Sequence, residues 1–311
     1  MAADEMKKRL GEIASKAFIG TIHSYANNIC TANGIDTQSF IAIFDFDTII
    51  KKALTIPVNK YPKIKHLLID ECQDIGALEY AFLERLPTEN FFFCGDERQA
   101  IYGFKGGSVE YLENLYKDDN YKKYFLVENY RNAPNILKYA ENFLGSFDAL
   151  SPHSVAHKTR EGLIVECSLL EAIEELQYSE DWGNWFILTR TNNELALVQE
   201  ILDSKEIPNV TFKKGDLDII ELNELMASNR VKILTIHTSK GLENKNVIVT
   251  GARLYNEEER KIAYVAATRA ESNLYWCPSF SKKHKKGFRL NDKAEAGRAS
   301  EKTNQKMVMF Q

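Results

Sequence analysis

No apolar run in this sequence approaches the roughly 18 residues that a membrane-spanning helix needs. The first residues, Met1 to Leu10, are charged where a secretory leader is apolar. These absences argue against a membrane protein and against export, and the expectation is a soluble protein of the cytoplasm. Cysteine is scarce as well. The five cysteines, Cys30, Cys72, Cys94, Cys167 and Cys277, are odd in number and never in CxxC spacing, so neither a disulfide framework nor a zinc site is signalled and a reducing compartment fits. A strong charge of either sign is also missing. The formal net charge of −4 argues against nucleic-acid binding through bulk positive charge, but leaves room for a local basic groove. There is no internal repeat and no long low-complexity segment.

What is present is a chain able to build a sizeable core: 311 residues with 44% hydrophobic and 27% charged content, long enough for two domains. Short apolar or β-branched runs at 65–69, 90–94, 185–189, 231–236 and 246–250 read as buried strands. Between them, 133–144 and 194–202 carry apolar residues at helical spacing, with Asn192 and Asn193 placed as caps for the second. Alternation of this kind predicts an α/β fold with mainly parallel sheets. The domain joint is expected near residues 127–135. From Ser281 onward the apolar periodicity is lost, so 281–311 reads as a polar, basic, mobile tail. Its Lys282-Lys283-His284-Lys285-Lys286 run reads first as a solvated segment and second as a phosphate contact.

In open α/β sheets, ligands bind beyond the carboxyl ends of the strands, so an apolar strand that turns abruptly polar marks a place for chemistry. Two strands do so here. His66-Leu67-Leu68-Ile69 runs into Asp70-Glu71-Cys72-Gln73-Asp74, and Phe91-Phe92-Phe93-Cys94 runs into Gly95-Asp96-Glu97-Arg98-Gln99. Adjacent carboxylates at a strand end suit nucleotide hydrolysis: one can hold Mg²⁺, here Asp70, while its neighbour, Glu71, orients and deprotonates the attacking water. A lone Asp-Glu pair more often caps the following helix, so the wider context decides.

That context is a series of strings in a fixed order. Leu68-Ile69-Asp70-Glu71-Cys72-Gln73-Asp74 resembles the DExQD Walker B motif of UvrD/Rep-type superfamily 1 helicases, and the string from Gly95 through Gln99, Tyr102, Phe104 and Lys105 to Gly107 resembles that family's GDxxQSIYxFRGA motif. Asn129-Tyr130-Arg131-Asn132 is similar to NYRS. The segment Thr235-Ile236-His237-Thr238-Ser239-Lys240-Gly241-Leu242-Glu243 is similar to TxHxAKGLE, and Tyr264-Val265-Ala266-Ala267-Thr268-Arg269-Ala270 to YVAxTRA. Near the start, Gly20-Thr21-Ile22-His23-Ser24-Tyr25 resembles TFHSF. The resemblance covers residues 1 to about 277.

It implies two RecA-like domains with mainly parallel sheets, 1–130 with little or no insertion and 131–280 without a large one. The intervals from His23 to Asp70 and from Arg131 to His237 are too short for the insertions of larger members. It also implies ATP and Mg²⁺ as cofactors, with Arg131 and Arg269 as cations facing the γ-phosphate and Gln99 as its sensor. Tyr130 would stack on adenine, with Gly241 and Glu243 contacting the nucleotide. Outside that pattern, an arginine more often serves a surface ion pair and Tyr130 would be core. The implied partner is single-stranded DNA, or DNA with a single-stranded tail, travelled 3′ to 5′. Its contacts would be His23, Tyr25, Tyr102, Phe104, Lys105, Thr235 and His237. Tyr102 and Phe104 read equally as core aromatics. Lys105 stands where the family usually has Arg, keeping the charge but losing the bidentate guanidinium.

One expected string is absent. No GxxGxGK[ST] phosphate loop occurs anywhere in the chain. Met1 to Leu10 resembles instead the middle of the family's TNxAAxEMxxRL segment, which normally follows that loop. The expectation is therefore an ATP-dependent DNA helicase or translocase in a truncated form, lacking the phosphate loop and the strand before it and inactive or nearly so without them. A catalytically inactive DNA-binding or scaffolding remnant is the alternative, and a nucleotide-dependent switch a third reading.

Overall fold

A computed structural model describes residues 2–103, 106–145, 147, 149–212, 224–278 and 288–289. The chain divides into two compact units, Met1–Lys123 and Tyr124–Gln311. The division falls ahead of residue 130 because Glu128–Asn129 already pairs with Val155–Ala156 of the second unit.

The first unit is mostly helical. Its helices are α1 (Ala2–Leu10), α2 (Ile22–Ala32), α3 (Gln38–Ala42), α4 (Phe46–Leu54), α5 (Ala77–Arg85) and α6 (Val109–Lys117). The hydroxyl of Thr21 starts α2 by accepting from the Ser24 N–H at 3.1 Å, and the carboxylate of Asp45 starts α4 by accepting from the Thr48 N–H at 3.1 Å. Ala26, Ile29 and Cys30 of α2 and Ile49, Ile50 and Ala53 of α4 repeat at helical spacing and bury their shared stripe with Phe82 and Leu83 of α5. Two strands, β1 (Ile64–Ile69) and β2 (Thr88–Phe93), run parallel in the register Ile64↔Thr88 to Ile69↔Phe93, with α5 as their crossover. They are less buried than expected from sequence. Leu68 is 69% and Phe92 57% exposed, because they are directly paired on one face that no described element of this unit covers.

The second unit holds β3 (Glu128–Asn129), α7 (Pro134–Leu144), β4 (Val155–Ala156), β5 (Leu163–Glu166), α8 (Leu169–Gln177), β6 (Trp185–Thr189), α9 (Asn192–Ser204), β7 (Asn209–Thr211), β8 (Val231–Thr235), β9 (Asn244–Thr250), α10 (Glu257–Ala267), β10 (Ala270–Cys277) and β11 (Phe288–Arg289). Seven strands form one sheet in the order β11-β5-β10-β9-β6-β8-β7, parallel throughout except for the antiparallel edge strand β11. Parallel sheets are covered on both faces, and this one obeys the rule. Ile187, Ile233, Ile248 and Tyr275 cluster with Ile173 and Leu176 of α8 and Val198 and Leu202 of α9. Their alternates Phe186, Leu188, Val247 and Val249 are equally buried and point to the opposite face. Helices α7 and α10 pack against one another and against β10, and α10 also meets β9.

The mainly parallel α/β architecture is as expected. The cap of α9 is not: Thr191, rather than Asn192 or Asn193, accepts from the Glu194 N–H at 3.2 Å, while the Glu194 carboxylate accepts from the Thr191 N–H at 2.9 Å. Such a reciprocal box fixes the helix start one residue early. All five cysteines are free thiols. Among the described residues, no helix is long and apolar enough to cross a membrane. Apart from β11, the expected tail with its Lys282 to Lys286 run lies outside the described residues, as do Phe104 and Lys105.

Candidate nucleotide and DNA site

In the first unit, the ladder between β1 and β2 runs past the strand ends. The Cys94 N–H donates to Ile69 O at 2.8 Å and the Cys72 N–H to Cys94 O at 2.9 Å, which places Asp70 and Glu71 in the turn between these two bonds. Asp70 is exposed, and its carboxylate accepts the N–H of Glu71 at 3.0 Å. Glu71 has φ 54° and ψ 39°. A non-glycine residue in this left-handed region costs roughly 1–2 kcal/mol and persists only where its surroundings hold it. Here the hold is Gln73, fully buried, whose amide N–H donates to the Glu71 carboxylate.

The same Gln73 side chain accepts the N–H of Asp96 at 3.0 Å, and the Asp96 carboxylate accepts the Gln99 amide at 2.8 Å and the Arg98 N–H at 3.0 Å. A continuous hydrogen-bonded line thus runs from Glu71 through Gln73 and Asp96 to Gln99, joining the two acidic strand ends. Burial pushes the Asp96 carboxyl above its ordinary range, against the opposing pull of the Gln99 and Arg98 hydrogen bonds. Gly95 is required by this packing: a Cβ there would lie 2.6 Å from Cys72 Sγ and 2.8 Å from Gln73 Oε1. Tyr102 borders the cluster. Burial, followed by the charges of Asp74 and Glu71, pushes its phenol up to about 12. Among the described residues no group of three or more His, Cys, Asp or Glu side chains could hold a metal by itself.

The first-unit DNA candidates are placed less suggestively. The His23 ring packs on Phe46 at 5.6 Å, with Nε2 3.6 Å from the Glu79 carboxylate. Tyr25 leans on Phe18 at 4.9 Å and packs against the helical core.

In the second unit, three of the recognised strings meet. The side-chain oxygen of Asn129 accepts the N–H groups of Arg131 at 3.0 Å and of Asn132 at 2.9 Å, which shapes the turn carrying Tyr130 and Arg131. Asn132 is fully buried and donates to Thr268 O at 3.0 Å and Ala270 O at 2.7 Å. The Arg131 guanidinium forms an ion pair with Glu243. Arg269 is buried, with Nε on Val265 O at 2.9 Å and a terminal nitrogen on Leu242 O at 3.2 Å, while its own carbonyl accepts the Asn244 N–H at 3.0 Å. Gly241, at φ +84°, supplies the left-handed turn that leads into Glu243. Tyr130 is not core: the residue is 60% exposed, its ring stands 4.3 Å from the His157 ring, and its hydroxyl donates to Glu128. Thr235 ends β8, where its hydroxyl accepts the Thr238 N–H at 3.2 Å in the turn that also holds half-buried His237.

Sequence reasoning assigned no role to Gln73, Asp96 or Asn132, although it quoted all three within motifs. It missed the pair Arg190–Glu259, whose two shortest bonds are 2.8 and 3.0 Å. Arg190 follows the apolar strand β6 directly, so the strand-end rule that found Asp70 also points to it.

Polar residues gathered beyond the carboxyl ends of parallel strands occupy the position at which open α/β sheets bind ligands. The family model described as the UvrD/REP helicase N-terminal domain matches residues 40–120, and that of the UvrD-like helicase C-terminal domain matches residues 216–279. Among curated proteins, the chain is 27% identical to a "Probable DNA helicase" of Mycoplasma pneumoniae, over 82% of this chain and 50% of that protein. It is 24% identical to "DNA helicase II" of Haemophilus influenzae, over 66% and 30%, and 25% identical to "ATP-dependent DNA helicase Rep" of Buchnera aphidicola, over 70% and 36%. These matches support a UvrD/Rep-type superfamily 1 helicase. The chain spans half or less of the length of these relatives.

Proposed function

We propose that the chain carries the hydrolytic and strand-gripping machinery of an ATP-driven translocase on single-stranded DNA. The observation that supports this most is the line Glu71–Gln73–Asp96–Gln99, which joins a water-activating carboxylate to a phosphate-sensing amide within one unit. The donor set suits Mg²⁺, which commonly takes one or two protein carboxylates and fills its remaining positions with phosphate oxygens and water. Asp70 would hold it, and the ion would neutralise phosphate charge. Glu71, held by Gln73, would take the proton of the attacking water, and Gln99 would report on the γ-phosphate through Asp96. Arg131 would leave Glu243 for the transferring phosphoryl group, and Arg269 would have to exchange its bond to Leu242 O to do likewise.

Exposed Tyr130 offers the adenine a face, with Gly241 and Glu243 beside Arg131 for the rest of the nucleotide. His23, Tyr25, Tyr102, Phe104, Lys105, Thr235 and His237 would contact the strand, and the family implies 3′ to 5′ movement. The 311 residues supply no GxxGxGK[ST] cradle for the phosphates, so this chain by itself is expected to turn over ATP at background rate while still binding single strands. Phosphate release with and without single-stranded DNA, with Glu71→Gln as the control, tests this. DNA-stimulated release that disappears in Glu71→Gln shows a working site without the cradle and overturns the expected inactivity. Strand binding indifferent to ATP favours a binding module instead.

A further inference from the structure

A concavity lies in the first unit, on the face of β2 opposite exposed Phe92. Its volume is about 230 Å³, and its walls include Tyr80, Phe91, Phe93 and Tyr121, with Glu84 and Asp118 among the polar groups. The rings are held in set attitudes. Phe91 and Phe93 are parallel within 4° at 5.9 Å, Tyr121 meets Phe93 edge-on at 5.8 Å, and Tyr80 is backed by Tyr111, stacked at 4.3 Å. Drug-sized pockets occupy roughly 300–1,000 Å³, and a cavity of about 150 Å³ already admits benzene, so this one suits a single side-chain-sized group.

Its electrostatics have one sign. Among the described residues, no basic side chain lines it. The nearby Lys123 ammonium is turned to the backbone carbonyl of Asp118 at 2.6 Å, and Lys117 faces Glu113 at 3.6 Å. The Asp118 carboxylate is fixed by the N–H and the side-chain amide of Asn120, at 2.9 and 2.8 Å. The Tyr80 phenol is raised by burial first and then by the charge of Glu84, and that of Tyr121 by burial and then by Asp118 and Glu84. Both rings therefore remain neutral at physiological pH and lie within the field of Glu84. Electron-rich faces beside carboxylates, in a site of side-chain size, form the environment that a guanidinium or alkylammonium group seeks.

We propose that this pocket binds an organic monocation-sized group of the guanidinium or alkylammonium class, inserted between the aromatic walls and paired with Glu84. The site is built entirely from β2, α5, α6 and the turn after α6, and it does not depend on ATP chemistry. Its occupant is either the tip of a partner's basic side chain or a free polyamine, which share this chemistry.

The test is a titration of the full 311-residue chain with N-acetyl-arginine amide, its uncharged isostere N-acetyl-citrulline amide, and spermidine, following the backbone amide resonances of Phe91, Phe93 and Tyr121. Arginine amide is expected to bind with a Kd of order 1 mM, with citrulline amide about tenfold weaker. Exposed Glu84 can be changed without touching the core, and Glu84→Gln is expected to weaken the arginine probe about fivefold with an unchanged circular dichroism spectrum. Tighter binding of arginine amide than of spermidine supports the site and assigns it to a protein side chain; the reverse supports it and assigns it to a polyamine. Equal binding of citrulline and arginine amides, affinity indifferent to Glu84→Gln, or no shift at these amides with any probe overturns the proposal. Background ATPase would leave it standing, so the two readings fail separately.

Discussion

The seven-stranded sheet of the second unit and the two-stranded sheet of the first are built on opposite principles. In the second unit, the central strands of the sheet are covered on both faces, and β6 contributes five consecutive buried residues from Trp185 to Thr189. In the first unit, two strands present Leu68 and Phe92 outward, and the apolar core lies instead among α2, α4 and α5. A fully covered parallel sheet concentrates stability where strands meet helices. The small sheet serves instead to bring two polar strand ends, at Asp70 and Asp96, within reach of one glutamine. All three tryptophans, Trp182, Trp185 and Trp276, belong to the second unit. Tryptophan fluorescence therefore follows that unit, and hydrogen exchange at Ile29 and Ile50 follows the core of the other.

The contrast can be broken most forcefully in the covered sheet. Ile187→Ala removes a fully buried side chain at its centre and is expected to lower the tryptophan-detected transition in urea by about 4 kcal/mol. Exchange at Ile29 and Ile50 should be unaffected. Next comes the Arg190–Glu259 pair. Arg190→Met leaves a nearly buried carboxylate unpaired, and the expected loss is about 3 kcal/mol in the same transition. Its sign with pH is fixed: hydrogen bonding to Arg190 depresses the Glu259 carboxyl, so the stabilisation is present above the unfolded glutamate value of about 4.3 and is lost as pH falls through the lower folded value. Urea midpoints between pH 7 and pH 3 should fall in the parent protein by more than in Glu259→Gln. Asn132→Ala is third, at about 2 kcal/mol, because two buried carbonyls lose their donor. Because Asn132 ties the Arg131 turn to the Arg269 segment, an unchanged transition would show that the three strings are not held together in this way.

How much of this was legible in the sequence follows from the range of each interaction. The strands 185–189 and 246–250 and helix α7 announce themselves through runs and periods within one element, and the parallel α/β class follows from their alternation. The carboxylates at Asp70 and Glu71 were legible because an apolar strand turns polar there. The cap at Thr191 was missed because asparagine and threonine cap comparably, and only the reciprocal bond with Glu194 decides between them. Arg190 and Glu259 are far apart in sequence, and no local pattern pairs them. The exposure of Leu68 and Phe92 was hidden for another reason: a short apolar run looks the same whether its second face is covered or open.

That last point supplies the mildest test and the one that bears most directly on the contrast. If the outward face of β1 and β2 meets only water, Leu68→Ser and Phe92→Ser remove no packed surface, and each should change exchange protection at Ile29 and Ile50 by no more than about 0.5 kcal/mol. Solubility should rise, since two large adjacent apolar side chains on an uncovered sheet favour association between molecules. A loss above about 1 kcal/mol in either variant would mean that these side chains are buried in solution. The small sheet would then be one layer of a larger packed structure, and the difference between the units would be one of completeness and not of design. An additive loss in the double variant would place Leu68 and Phe92 against separate neighbours, whereas a sub-additive one would place both against the same covering element, as their direct pairing in register suggests.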